Sequence, residues 1–108
     1  MSSTDPQEKT VLIVDDVEYS RQLLRNSILA VAANEEIKTT RFKIVNASNG
    51  QNTFTKIEAH KPDLIFLDIE LPDMNGIEIL KKIKSENPKV VVIMVSGQST
   101  IANVKESL

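Results

Sequence analysis

Three aspartates and one serine stand out because each closes an apolar run. Asp15 and Asp16 follow VLIV, Val11 to Val14; Asp68 follows LIFL, Leu64 to Leu67; Ser96 follows VVVIMV, Val90 to Val95. A carboxylate at the carboxyl end of a buried strand lies where open α/β sheets hold their ligands, and in that position it can act as a nucleophile. If the three run ends adjoin, three carboxylates and a hydroxyl share one crevice. Acids packed that closely resist ionising together. A hard divalent cation relieves the repulsion, and an all-oxygen donor set suits Mg²⁺. Because Mg²⁺ usually pairs one or two carboxylates with phosphate oxygens and waters, a phosphate ligand follows as an inference. Taken singly, each residue has a plainer role. Aspartate at a strand end often forms a turn, Ser96-Gly97 is a common turn dipeptide, and Pro72 and Gly76 bend the chain after Asp68. The chemical reading rests on the set.

These residues must be positioned by strands and helices in alternation. Short continuous runs of branched residues fit strands buried on both faces. Residues Met1 to Lys9 are polar and read as a flexible tail. After the first strand, Glu18 to Ala33 has a helical pattern, with Leu24, Ile28 and Val31 on one face. Asn34 to Thr40 breaks that pattern and reads as a loop. FKIVNA, from Phe42, is a second strand, more polar and expected at an edge. Asn49-Gly50 marks a turn, and Gln51 to His60 a short helix with Phe54 and Ile57 inward. Lys61-Pro62 stops it, because proline disfavours helical geometry in the residue before it. After LIFL, Ile77 to Glu86 is a helix with Ile79, Leu80 and Ile83 inward, and Val90 to Val95 is a fourth strand. Ser99 is placed to cap a last helix bearing Ile101, Val104 and Leu108 on one face. Regular β-α alternation implies a parallel sheet with helices on both sides, and right-handed crossovers leave few topologies.

Composition narrows the function classes. The chain has 108 residues, 41% hydrophobic and 26% charged, which suits one small folded domain. Its net charge is -2 with no basic cluster, so a nucleic-acid surface is not expected. There is no cysteine and one histidine, His60, which removes disulfides, thiolate metal sites and histidine-rich metal sites. No apolar run approaches the length needed to span a membrane, and no signal peptide is visible. A cytoplasmic location is the expectation. No glycine-rich GK[ST] segment occurs, which excludes a P-loop nucleotide site.

VLIVDD, DLIFLDIELPDMNG and VVVIMVSG, in this order and with helices between, resemble the receiver domain of two-component response regulators. The resemblance covers Thr10 to about Leu108. It implies the flavodoxin-like, doubly wound α/β fold with strand order 2-1-3-4-5, an order the receiver family also illustrates in general accounts of such sheets. Asp68 matches the phosphoacceptor, which takes its phosphoryl group from a histidine kinase or phosphotransfer protein. Asp16 matches the direct Mg²⁺ ligand, Asp15 the acid that holds the metal through water, and the backbone carbonyl of Glu70 a third protein ligand. Ser96 matches the hydroxyl that contacts the phosphoryl group and carries the conformational switch. Glu70 and Gln98 match two variable positions beside the phosphate. The implied function is phosphorelay signalling by a phosphoacceptor that assists its own phosphorylation, not by a turnover enzyme.

The sequence departs from the family pattern in two places. The loop Asn34 to Thr40 is longer than receivers usually have. The chain also ends at Leu108, inside or just after the fourth helix, whereas receivers continue with a fifth strand bearing a phosphate-pairing lysine and an aromatic switch residue. The expectation is a receiver of four strands instead of five over residues 10–108, incomplete at its C-terminus. It is then a fragment of a longer protein, or a chain that self-associates through the exposed apolar edge of its fourth strand. A receiver-like interaction module with impaired phosphorylation, for want of that lysine, is the alternative function. A phosphatase of the haloacid dehalogenase type fits poorly, because such enzymes place a second aspartate where Glu70 stands.

Overall fold

The structure is a computed structural model, and it describes residues 7–33 and 40–95. Seven elements alternate along the chain: β1 (Gln7–Val14), α1 (Glu18–Ala32), β2 (Thr40–Ala47), α2 (Gly50–His60), β3 (Leu64–Asp68), α3 (Gly76–Glu86) and β4 (Val91–Val95). The strands form one parallel sheet in the order β2-β1-β3-β4. This matches the first four strands of the expected doubly wound order, and it puts the carboxyl ends of β1, β3 and β4 side by side. The helix expected after Ser99 and residues 34–39 of the expected loop lie outside the described residues; Thr40, expected in that loop, opens β2, which starts two residues before Phe42.

The apolar runs become central strands because both of their faces are covered. Val11, Leu12, Ile13 and Val14 are each at most 2% exposed, and Ile65 and Leu67 are fully buried. Every second residue (Leu12 and Val14, Val45 and Ala47, Ile65 and Leu67) joins Ile79, Ile83 and Val90 in the main core, with Phe54, Ile57 and Leu80 packed against it. Each of the valine, leucine and isoleucine side chains among them contributes about 1.5–3 kcal/mol relative to exposure. The helical spacing of Ile79 and Ile83 thus points α3 at the sheet as expected. On α2 the fully buried side chain is that of Thr53, whose hydroxyl donates to the Asn49 carbonyl; Phe54 and Ile57 are half-buried.

Three features differ from the sequence reading. β1 begins at Gln7, inside the stretch read as a tail, because Gln7, Glu8 and Lys9 pair in register with Thr40, Arg41 and Phe42. The first helix buries none of its residues fully; Val31, expected inward, is 60% exposed. Asn49 and Gly50 do not form a free turn but open α2, with the Asn49 side chain accepting the Asn52 amide. Lys61 does end α2 as expected. It takes a left-handed conformation, φ 47°, and its amide donates to the Ile57 carbonyl at 2.8 Å.

Among the described residues β2 and β4 are the edges, and β4 is the more apolar one. Val92 and Met94 pack on the core, while Val91 and Ile93 are 55% and 42% exposed on the other face. No helix among the described residues is long and apolar enough to cross a membrane.

Candidate functional site

The acids gather at the carboxyl edge of the sheet. Val14 of β1 is in register with Leu67 of β3, so the next residues of the two strands, Asp15 and Asp68, emerge together. Both are buried, Asp15 at 6% and Asp68 at 2% exposure, whereas Asp16 is exposed. Asp15, Asp16 and Asp68 each present a carboxylate oxygen within 4.8 Å of the others. The convergence inferred from three separate runs is therefore present for the three aspartates.

Backbone amides and one cation hold this cluster. The Asp15 amide donates to the Ala47 carbonyl at 3.1 Å, tying the end of β1 to the end of β2. Its carboxylate accepts the Val17 amide at 2.9 Å, and its carbonyl accepts the Arg21 guanidinium at 2.6 Å. Arg21 therefore clamps the β1–α1 turn and lends positive charge to an acidic region. Burial pushes the Asp15 carboxyl above its ordinary range; the Val17 amide lowers it, Asp68 and Asp16 raise it by repulsion, and Arg21 lowers it.

That balance fixes a pH dependence in metal-free protein. Between the ordinary value of 3.8 and the raised folded value, the native state binds more protons than the unfolded chain. Stability must then fall as pH rises through that window. Asparagine at this position keeps an oxygen for the Val17 amide but carries no charge. The melting temperature of an Asp15→Asn variant, relative to the parent, should therefore climb from about pH 4 upward and then level off. Melting curves across pH in metal-free buffer test this, and a difference that does not vary with pH would sink it.

The loop after Asp68 is folded back on its own strand. The Asp68 carboxylate accepts the Glu70 amide at 3.1 Å, and Glu70 bridges to Asn75. The Ile69 amide donates to Val95 of β4 at 2.9 Å, and the Gly76 amide donates to the Ile69 carbonyl at 2.8 Å. Gly76 was expected only as a turn former. Its conformation is ordinary, and what requires glycine is proximity: a Cβ there would lie 2.5 Å from the Asp68 carbonyl oxygen and 2.7 Å from Ile69 Cα. Asn75 caps α3 by accepting the Ile77 amide at 2.7 Å.

Ser96 and Gln98 lie outside the described residues, although Val95, which precedes Ser96, is in register with Asp68. Two contributors to the site's frame escaped the sequence reading. Arg21 is a polar residue of α1 that the apolar spacing of that helix does not single out. Asp73 looked like part of a turn, but its carboxylate accepts the Gly50 amide at 2.7 Å and the Gln51 amide at 3.1 Å. Its partners lie more than twenty positions earlier in the chain, so no local pattern announces them.

The fold and the acid cluster can be set beside known proteins. A family model for the response regulator receiver domain matches residues 11–108. The chain belongs to that family. It is 34% identical over 100 residues to the chemotaxis protein CheY of Thermotoga maritima, covering 93% of this chain and 77% of CheY. It is also 40% identical over 88 residues to a protein-glutamate methylesterase/protein-glutamine glutaminase of Treponema denticola, covering 81% of this chain and 22% of that protein. It is 30% identical to TcrX of Mycobacterium tuberculosis, of which it spans 39%. The chain thus spans well under half the length of the last two. Among solved structures, the response regulator TrrA of Thermotoga maritima, in complex with Mg²⁺ and BeF, superposes with a TM-score of 0.71 at 27% identity, covering 84% of this chain and 71% of TrrA. Receivers are modules of phosphorelay signalling that work with histidine kinases or phosphotransfer proteins. Where a relative is an enzyme, as the methylesterase is, most of its length lies beyond the part matched here.

Proposed function

We propose that this receiver, spanning residues 10–108, accepts a phosphoryl group on Asp68. The observation that carries this reading is the cluster itself: three aspartate oxygens within 4.8 Å at the ends of β1 and β3, with Asp68 nearly inaccessible at 2%. The donor set contains only oxygen, and burial and mutual repulsion destabilise the charged form of Asp15 without a cation. Both features fit Mg²⁺. Asp15, Asp16, Asp68 and the Glu70 carbonyl would hold it. When bound, Mg²⁺ supplies charge neutralisation for the transferring phosphoryl oxygens.

The residues of the chain do the rest. An Asp68 carboxylate oxygen attacks the phosphorus of the donor's phosphohistidine. The new O–P bond forms as the N–P bond breaks, and the imidazole leaves with the electron pair and takes up a proton. Such transfers need positioning and charge stabilisation rather than covalent work elsewhere in the protein. The Glu70 amide on the Asp68 carboxylate fixes its orientation, and the Gly76 backbone packs behind it. Ser96, one residue past Val95, contacts the phosphoryl group and carries the switch, moving the segment after β4 between two packings. The partner is a histidine kinase or phosphotransfer protein, and the setting is the cytoplasm. An interaction module with impaired phosphorylation is not favoured by the relatives. Nor do they support self-association through β4, which forms no part of this function.

Incubating the protein with Mg²⁺ and a small acyl phosphate tests the reading by intact mass. A single phosphoryl adduct that fails to form when a chelator replaces Mg²⁺ is the expected result. No adduct under saturating Mg²⁺ and acyl phosphate would overturn it.

A further inference from the structure

Three of the amides that open helix α2 bond to side chains rather than to the helical ladder, and two of these go to a distant loop. The first four amides of any helix lack partners within it. Here the Asn52 amide goes to the Asn49 side chain, and the Thr53 amide makes the first helical bond, to the Asn49 carbonyl. The first two, Gly50 and Gln51, go to the two carboxylate oxygens of Asp73, at 2.7 and 3.1 Å. A carboxylate on the positive end of a helix is a favourable arrangement, and the bond to a charged acceptor is the stronger kind. The same junction is packed: a Cβ on Gly50 would fall 2.6–2.9 Å from the side chain of Met74, the neighbour of Asp73.

This tie has a direction that bears on the site. Asp73 belongs to the segment between β3 and α3, three residues after Glu70 and five after Asp68. The bonds of Ile69 and Gly76 hold that segment to β4 and to itself. The bonds of Asp73 run the opposite way, over the end of β1 to the start of α2. That start follows Ala47 by three residues, and the Ala47 carbonyl holds the Asp15 amide. Asp15, Ala47, Gly50, Asp73 and Asp68 thus form a closed circuit around the acid cluster. Without the link at Asp73, only the bonds of Ile69 and Gly76 would hold the Asp68 loop against repulsion among the three acids.

We infer that Asp73 is a positioning residue, whose carboxylate docks the loop of Asp68 and Glu70 on the first two amides of α2 and thereby sets the affinity of the acid cluster for Mg²⁺. The inference rests on the metal site proposed above. It distinguishes Asp73 from an ordinary helix cap, because a cap would stabilise α2 without reaching the metal ligands.

Three variants of the protein separate these roles, each checked for folding by circular dichroism. Mg²⁺ binding is measured by calorimetry, with no acyl phosphate present. Asp73→Ala should weaken Mg²⁺ binding roughly tenfold, the lower range for groups that orient a metal ligand. In metal-free protein it should also speed hydrogen exchange at the Glu70 and Gly76 amides. Asp73→Asn keeps one acceptor oxygen and should fall between; it also serves if the alanine variant fails to fold. Asn49→Ala removes a cap from the same helix end without touching the loop, and it should lower the melting temperature while leaving Mg²⁺ binding and those two amides unchanged. Parent-like Mg²⁺ binding in both Asp73 variants overturns the inference alone, as does an equal loss in Asn49→Ala. Absence of Mg²⁺ binding in the parent overturns the metal site, and the inference with it.

Discussion

Asp68→Asn is expected to abolish the phosphoryl adduct completely while leaving the fold intact. The asparagine amide oxygen can still accept the Glu70 amide that Asp68 accepts at 3.1 Å, so the turn after β3 keeps its hydrogen bond. The nucleophile is lost, because an amide oxygen does not attack phosphorus as a carboxylate does. Removing the charge also relieves Asp15, whose carboxyl is pushed up by burial and further by Asp68. The metal-free variant should therefore melt no lower than the parent, and Mg²⁺ should raise its melting temperature less, since a weaker ligand stabilises the native state less. Loss of phosphorylation together with retained or increased stability is a combination that misfolding cannot produce. Intact mass and thermal melting on the same sample check both halves. An adduct surviving in Asp68→Asn would move the phosphoacceptor to another carboxylate, Asp15 or Asp16 being nearest.

Much of this site was legible because burial and chemistry write in different residue types. Runs such as VLIV and LIFL are apolar on both faces, so the first aspartate after each run marks where the strand leaves the core. Position then follows from topology, and Asp15, Asp16 and Asp68 meet as the alternation of elements requires. The edge position of β2 was legible for the same reason, since Arg41, Lys43 and Asn46 on it are exposed. What could not be read depends on pairing between segments far apart. The start of β1 at Gln7 is set by the length of β2 rather than by hydrophobicity, for Gln7, Glu8 and Lys9 are polar. The role of α1 was overestimated from its periodicity, because amphipathic spacing gives direction but not depth of burial. Asp73 gave no signal, as an acid after a proline in a turn looks the same whether it faces water or a helix end. Gly76 was visible as a glycine, but the reason for it was not.

That reason leads to the largest expected effect on stability. Alanine at position 76 would ordinarily favour a helix over glycine, by about 1 kcal/mol at most. Here its Cβ would stand 2.5 Å from the Asp68 carbonyl oxygen and 2.8 Å from that of Ile69, and both are backbone atoms at the end of β3. They cannot swing aside as a side chain can; either α3 shifts outward or the carboxyl end of β3 distorts. Overpacking of this kind costs about 1–3 kcal/mol, so the clash should outweigh the gain in helix propensity. Gly50→Ala is the informative contrast. Its new Cβ would meet Met74 Sδ at 2.6 Å, Cγ at 2.8 Å and Cβ at 2.9 Å; the unbranched thioether can swing aside, and only the Cβ contact asks the loop backbone to give. Gly76→Ala should accordingly be the less stable of the two by chemical denaturation. It should also lose Mg²⁺ affinity, because the displaced backbone carries Asp68 itself. A Gly76→Ala protein as stable as the parent would mean that α3 is free to move away from β3, and that the geometry of Asp68 does not depend on the glycine behind it.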